Sequence, residues 1–178
     1  MHFNTYGGTA AALAAELVNN GDVAAALARY TPSLPPPTPA ESAEITAWAR
    51  RLDAVFGEHP VERRVALVNE LLDAAASRPT ISTHDGQPPH LHYSGPGDGL
   101  VARVRAVTAA GLASVLCDEG GHRLGRCVSD GCGRVFVDVS KGGRRHFCST
   151  RCANRVNAAL HRARHRSSVG HRHPASRR

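Results

Sequence analysis

Apolar residues recur every three or four positions through most of the first 120 residues, the spacing that puts them on one side of a helix. Ala10, Leu13, Ala14, Leu17 and Val18 follow this pattern until Asn19-Asn20-Gly21 interrupts it, and Asp22 is placed to cap a short second helix through Tyr30. A proline-rich connector, Thr31 to Pro39, ends in Thr38-Pro39-Ala40-Glu41. That run has the spacing of a capping box with proline at the first helical position. The helix it predicts carries Ile45, Trp48, Leu52, Val55 and Phe56 and stops at Gly57. Val61, Val65, Val68, Leu71, Leu72 and Ala75 mark a fourth helix, ending near Arg78-Pro79.

The period then changes. Thr80-Ile81-Ser82-Thr83 and His90-Leu91-His92-Tyr93 alternate about Asp85-Gly86, which predicts a short hairpin. Beyond Gly95-Pro96-Gly97, Asp98 is positioned to cap a long helix bearing Leu100, Val101, Val104, Val107, Leu112, Val115 and Leu116, with Cys117 read as a buried small hydrophobe. The fold class that follows is mainly α with a small β element. A helical domain spans residues 1–120, a small metal-stabilised module spans 121–166, and the basic residues 167–178 form a disordered tail.

Four of the five cysteines form two close pairs, Cys127 with Cys132 and Cys148 with Cys152, separated by fifteen residues. Each pair closes a small loop, and the intervening length allows the chain to turn back, so the four sulfurs can meet at one point. Zn2+ favours such a tetrahedron. Gly131 and Gly133 flank Cys132 and let the backbone curl round an ion, and Ser149 is a good N-cap that places Cys152 in the first turn of a helix. Two disulfides or four unrelated buried thiols are the other readings. Disulfides suit an oxidising compartment, whereas no secretory signal or membrane-spanning run stands out and a cytoplasmic location is expected. A segment of this size has too little core of its own, so metal binding and folding are expected to be one equilibrium in a satellite module.

Charge divides the chain near the same place. Residues 126–178 hold 13 arginines and lysines against Asp130 and Asp138, a net charge of +11, whereas residues 1–125 hold 9 against 13, a net charge of −4. All of the basic residues in the C-terminal part are arginines except Lys141, and guanidinium groups suit bidentate contact with phosphate. On a helical wheel of the last helix, Arg151, Arg155, Arg162 and Arg166 fall within about 60° of one another, with Val156, Leu160 and Ala163 toward the opposite side. One side is expected to face protein and the other to present arginines. Asn154 and the preceding Arg144 and Arg145 join that surface. The set Arg144, Arg145, Arg151, Asn154, Arg155, Arg162 and Arg166 is the candidate nucleic-acid surface, and a merely solvated basic face is the plainer reading.

Arg126-Cys127 through Cys132-Gly133, Val135 to Ser140, Arg144 to Ser149 and Cys152-Ala153-Asn154-Arg155 resemble the CGNR zinc-finger family. Ala153 stands at the glycine of the naming motif, and the second cysteine pair is one residue closer than the usual spacing. The resemblance implies a treble-clef-like finger behind an N-terminal ABATE domain. That domain is matched more weakly here, by Phe3-Asn4-Thr5 and the order of helices. Together they imply a soluble bacterial, stress-responsive transcription regulator that binds DNA. A small-molecule effector or protein partner would act at the N-terminal domain, and base specificity would call for a homodimer or help from that domain. Asn154 and Arg155, the last two motif positions, either touch nucleic acid or brace the finger.

Other chemistry is weaker. No nucleophile, base and oxyanion arrangement is visible, and no glutamate stands beside the cysteines, so an enzyme is not expected. His84, His90 and His92 with Asp85 form a conceivable second metal group on the hairpin, less favoured than exposed alternating histidines. RNA binding and docking on an acidic protein are the other partner classes.

Overall fold

Two of the helices start where local chemistry dictates. The Asp22 carboxylate accepts from the Ala25 amide at 2.9 Å and opens α2, Val23–Tyr30. The Thr38 hydroxyl accepts from Glu41 N at 3.3 Å while the Glu41 carboxylate accepts from Thr38 N at 2.8 Å, a complete capping box at the start of α3, Pro39–Asp53. The computed structural model describes residues 5–32, 34–83, 89–95 and 97–169. In it α1 spans Thr5–Asn19, α4 spans Val61–Ala75 and α5 spans Leu100–Glu119. Strands β1, Thr80–Ser82, and β2, His90–His92, pair antiparallel with Ile81 opposite Leu91. After a 3₁₀ turn at Gly121–Arg123 come β3, Leu124–Arg126, its antiparallel partner β4, Val135–Val137, and α6, Thr150–Val169. The chain is mainly helical with small strands.

Helix α5 is the centre of the assembly and packs on α1, α3 and α4. It is long and apolar enough to cross a membrane by length and composition, yet half of that stretch is buried inside the protein. Its closest neighbour is α1. A Cβ added to Gly111 would lie 2.6 Å from the Ala10 Cβ and the Ala11 amide, so the two helix backbones meet where only glycine fits. Trp48 donates its indole N–H to the fully buried Thr108 hydroxyl at 2.9 Å, which gives this polar pair a partner inside the core.

Several expectations are corrected here. Asp98 does not cap α5. Its carboxylate accepts from Gly95 N at 2.6 Å, closing the preceding turn, and Gly99 is the N-cap with no side-chain bond. Cys117 is exposed rather than buried. Val55 and Phe56 are buried as expected but lie in the turn after α3, and α4 ends at the left-handed Ala76, before Arg78-Pro79. The finger is no satellite. Leu124, Val135 and Val137 belong to the same apolar core as the helices, and the Asn19 side chain pairs with the β4 backbone, donating to Val135 O at 2.8 Å and accepting from Val135 N at 2.9 Å. Phe3-Asn4, the hairpin turn with His84, Asp85 and Gly86, and most of the tail lie outside the described residues.

Candidate metal centre

The first cysteine loop is shaped by its glycines. Gly131 and Gly133 have φ of 68° and 62°, so the chain reverses tightly between Cys127 and β4, with Cys132 N donating to Ser129 O at 3.0 Å and Cys127 N to Arg134 O at 2.8 Å. The second pair comes from the start of α6. Ser149 caps that helix, its hydroxyl accepting from Cys152 N at 3.3 Å, which aims the Cys148 and Cys152 sulfurs at the first loop. Val128 N donates to His146 O at 3.1 Å and ties the two loops together.

Cys127, Cys132, Cys148 and Cys152 present their sulfurs within 4.8 Å of one another, and among the described residues they are the one such group of metal-ligating side chains. Three of the separations are 3.6 Å for Cys132–Cys148 and 3.7 Å for both Cys148–Cys152 and Cys132–Cys152. Zn–S bonds of about 2.3 Å in a tetrahedron require sulfurs about 3.8 Å apart, so the cage has the size of a four-thiolate zinc site. Cys127 and Cys152 are buried, and Cys132 and Cys148 are half-buried. Burial, with the neighbouring Cys132 and Cys152 thiols, pushes the Cys148 thiol up to about 12, whereas the Ser149 hydroxyl holds Cys152 down at about 7. Within the cluster the thiols thus favour one thiolate, at Cys152, and oppose a second at Cys148. A divalent cation reverses that, because ligation expels the protons. His146 lies outside the sulfur cluster.

The residues around the cage are sorted by their hydrogen bonds. Arg155 turns inward from α6, donating Nε and Nη2 to the buried Ser129 hydroxyl at 3.2 and 2.7 Å and Nη2 to Asp130 O at 3.2 Å, so it clamps the first loop. Arg145 stacks over the Phe136 ring at 4.6 Å and donates to the carbonyls of Phe147 and Cys148, which clamps the second. These two arginines of the proposed outward surface thus spend their donors on the finger, although both residues remain exposed. Arg144, Arg151, Asn154 and Arg162 are exposed and make no side-chain hydrogen bond or ion pair among the described residues, and the Arg166 side chain lies outside them. The apolar side of α6 also departs from expectation. Val156 is half-buried, but Leu160 is 51% exposed and meets no protein layer.

Sequence reasoning missed Asp138, which is 1% exposed and organises the turn after β4. Its carboxylate accepts from Ser140 N at 2.9 Å and Arg145 N at 2.8 Å, and Arg123 donates to its carbonyl at 3.0 Å. Burial alone would raise this carboxyl. The Ser140 hydroxyl, the two amides and the Arg123 charge outweigh it and hold the group below the usual carboxylate range. An acidic residue closing an apolar Val-Phe-Val strand was the available signal.

No curated protein matches this chain. Residues 123–165, from the 3₁₀ turn through most of α6, match the family described as the CGNR zinc finger, and the four-cysteine cage lies wholly within that match.

Proposed function

We propose that the cage holds one structural zinc ion and that the protein is a DNA-binding transcription regulator. One observation carries the DNA reading. Arg151 and Arg162 lie within about 20° of each other on α6, about 16 Å apart along its axis, and both are exposed in a C-terminal part whose net charge is +11. Protein acceptors take the clamping arginines, which leaves these for phosphate. Arg144 and Asn154 extend the contact, and Arg166 continues it in sequence. With four cysteines filling the tetrahedron no position is open for a substrate, so the ion is structural rather than catalytic. The resemblance to stress-responsive regulators with an N-terminal ABATE domain supplies the regulatory role, a cytoplasmic location and an effector or partner at the helical part. A homodimer would supply the length of site that one helix cannot read.

The test is anisotropy titration of the zinc-loaded full chain with duplex DNA at two salt concentrations. Affinity should fall steeply with salt, and Arg151→Ala or Arg162→Ala should each weaken binding and reduce the log–log salt slope by about 1. An absence of duplex binding at low salt would remove the DNA reading. The second reading, docking on an acidic protein, is favoured by Leu160, an apolar side chain left 51% exposed on the side of α6 opposite these arginines, and predicts that Leu160→Ser weakens partner capture while DNA binding stays absent.

A further inference from the structure

A cleft of about 1030 Å³ runs between the α3–α4 turn and the finger, comparable with the roughly 300–1,000 Å³ of small-molecule sites. Its deepest polar group is Arg64, only 5% exposed. This guanidinium donates Nε to Val55 O at 3.3 Å and Nη2 to Gly57 O, both neutral carbonyls at the end of α3. No carboxylate pairs with it among the described residues, and Nη1 has no acceptor there. Burial without a counter-ion lowers its pKa. Gly121 is what allows the side chain to lie there, since a Cβ at that position would overlap Nη1. A buried arginine held only by carbonyls carries a charge that an incoming anion would satisfy.

The walls narrow the anion's class. Phe56, Leu124 and Phe136 are buried where they line the cleft, whereas Val61 and Val128, also in the lining, are 57% and 58% exposed. Apolar side chains left this open at a cleft mouth gain by being covered. Three arginines line the cleft against one acidic residue, Glu58, which is exposed. Two of the three are engaged elsewhere, Arg126 with Asp53 at 2.8 Å and Arg145 with the finger backbone, so they add potential and Arg64 alone adds a directed donor. We infer that this cleft binds a small organic monoanion, a carboxylate on an apolar body, with the carboxylate on Arg64 and the body between Val61 and Val128. Because Cys127 and His146 also line it, an occupant would touch the helical part and the finger at once. The inference is independent of any contact with nucleic acid.

The experiment is ¹⁹F NMR and calorimetric titration of the zinc-loaded full chain with 4-fluorobenzoate and, by calorimetry, octanoate. The controls are 4-fluorobenzyl alcohol and inorganic phosphate. Saturable one-to-one binding of at least one carboxylate is expected, with the alcohol about tenfold weaker or worse, the size of a lost charge-assisted hydrogen bond. Arg64→Met should lower carboxylate affinity by about the same factor. Val61→Asp places a like charge at an exposed position and should lower it comparably in a protein whose circular dichroism is unchanged, which keeps the test decisive if the Arg64 variant fails to fold. The inference is overturned if neither carboxylate saturates, if the alcohol or phosphate binds as tightly as the carboxylates, or if Val61→Asp leaves affinity intact.

Discussion

Arg151 and Arg155 sit one turn apart on α6 and have opposite surroundings. The first is exposed without a protein acceptor, and the second is spent on Ser129 and Asp130. Arg155→Ala should therefore destabilise the finger by about 1–3 kcal/mol, because it strips a charged donor from the buried Ser129 hydroxyl. Arg151→Ala should change stability by less than about 0.5 kcal/mol. Denaturant titration of the zinc-loaded proteins separates the two, and equal effects would contradict the clamp. Asp138 gives a second residue-level expectation, and its sign follows from its depressed carboxyl. A group held low in the folded state stabilises in full above its unfolded value of about 3.9, and the contribution fades as pH falls through the folded value. Asp138→Asn loses one of two amide contacts and leaves an N–H facing an N–H, so it should cost about 1–3 kcal/mol at neutral pH. The gap from the parent protein should shrink below about pH 4 as the parent carboxyl protonates. Comparing both proteins at each pH cancels the zinc loss they share in acid. A gap that widens in acid would refute the assignment.

At the scale of elements, the contact of α1 with α5 rests on Gly111. Alanine there would gain about 1 kcal/mol of intrinsic helix propensity. Its methyl group, however, would press into the Ala10–Ala11 backbone at 2.6 Å, and backbone cannot rotate aside as a side chain can. Gly111→Ala should be net destabilising by about 1–3 kcal/mol in urea titration, the usual cost of overpacking; a stabilised variant would show that α1 yields. The helices that were legible in the sequence are those whose starts are set by neighbours a few residues away, as with Asp22 and Thr38. Asp98 misled because two local donors lay within its reach, and the Gly95 amide took it before the helix could. Cys117 misled for a different reason. It shares the side of α5 that carries the buried Ala106 and Ala110 but stands in the last turn, where that side is no longer covered. On α6 the wheel grouped the arginines apart from the apolar residues, but a wheel says nothing about which side another element covers: Arg155 reaches Ser129 and Asp130, and Leu160 is left 51% exposed.

For the whole molecule, the metal cage was legible because cysteine spacing and flanking glycines are local, whereas the way the finger joins the helices was not. The jump in net charge near residue 126 suggested a boundary there, but charge reports on surfaces, and the residues that cross the boundary are apolar or amide: Leu124, Val135, Val137 and Asn19. That joint changes what removing the metal should do. Were the finger a separate module, chelation would melt all of it. With the β3–β4 hairpin in the common core and Asn19 bonded along β4, the hairpin keeps most of its apolar burial when the sulfurs lose their ion. Hydrogen exchange on the zinc-loaded and chelated full chain should show protection lost in both cysteine loops and the first turns of α6, from 127 to 134 and from 144 to 155. The Gly125 and Phe136 amides, which face each other across β3 and β4, and helix α5 should stay protected. Cys148→Ser should reproduce this pattern, and Asn19→Ala combined with chelation should extend the loss into β4, since it removes the amide that pairs with Val135. If chelation alone exposes β3 and β4 as fully as the loops, the shared core contributes nothing to the finger and the metal alone holds it.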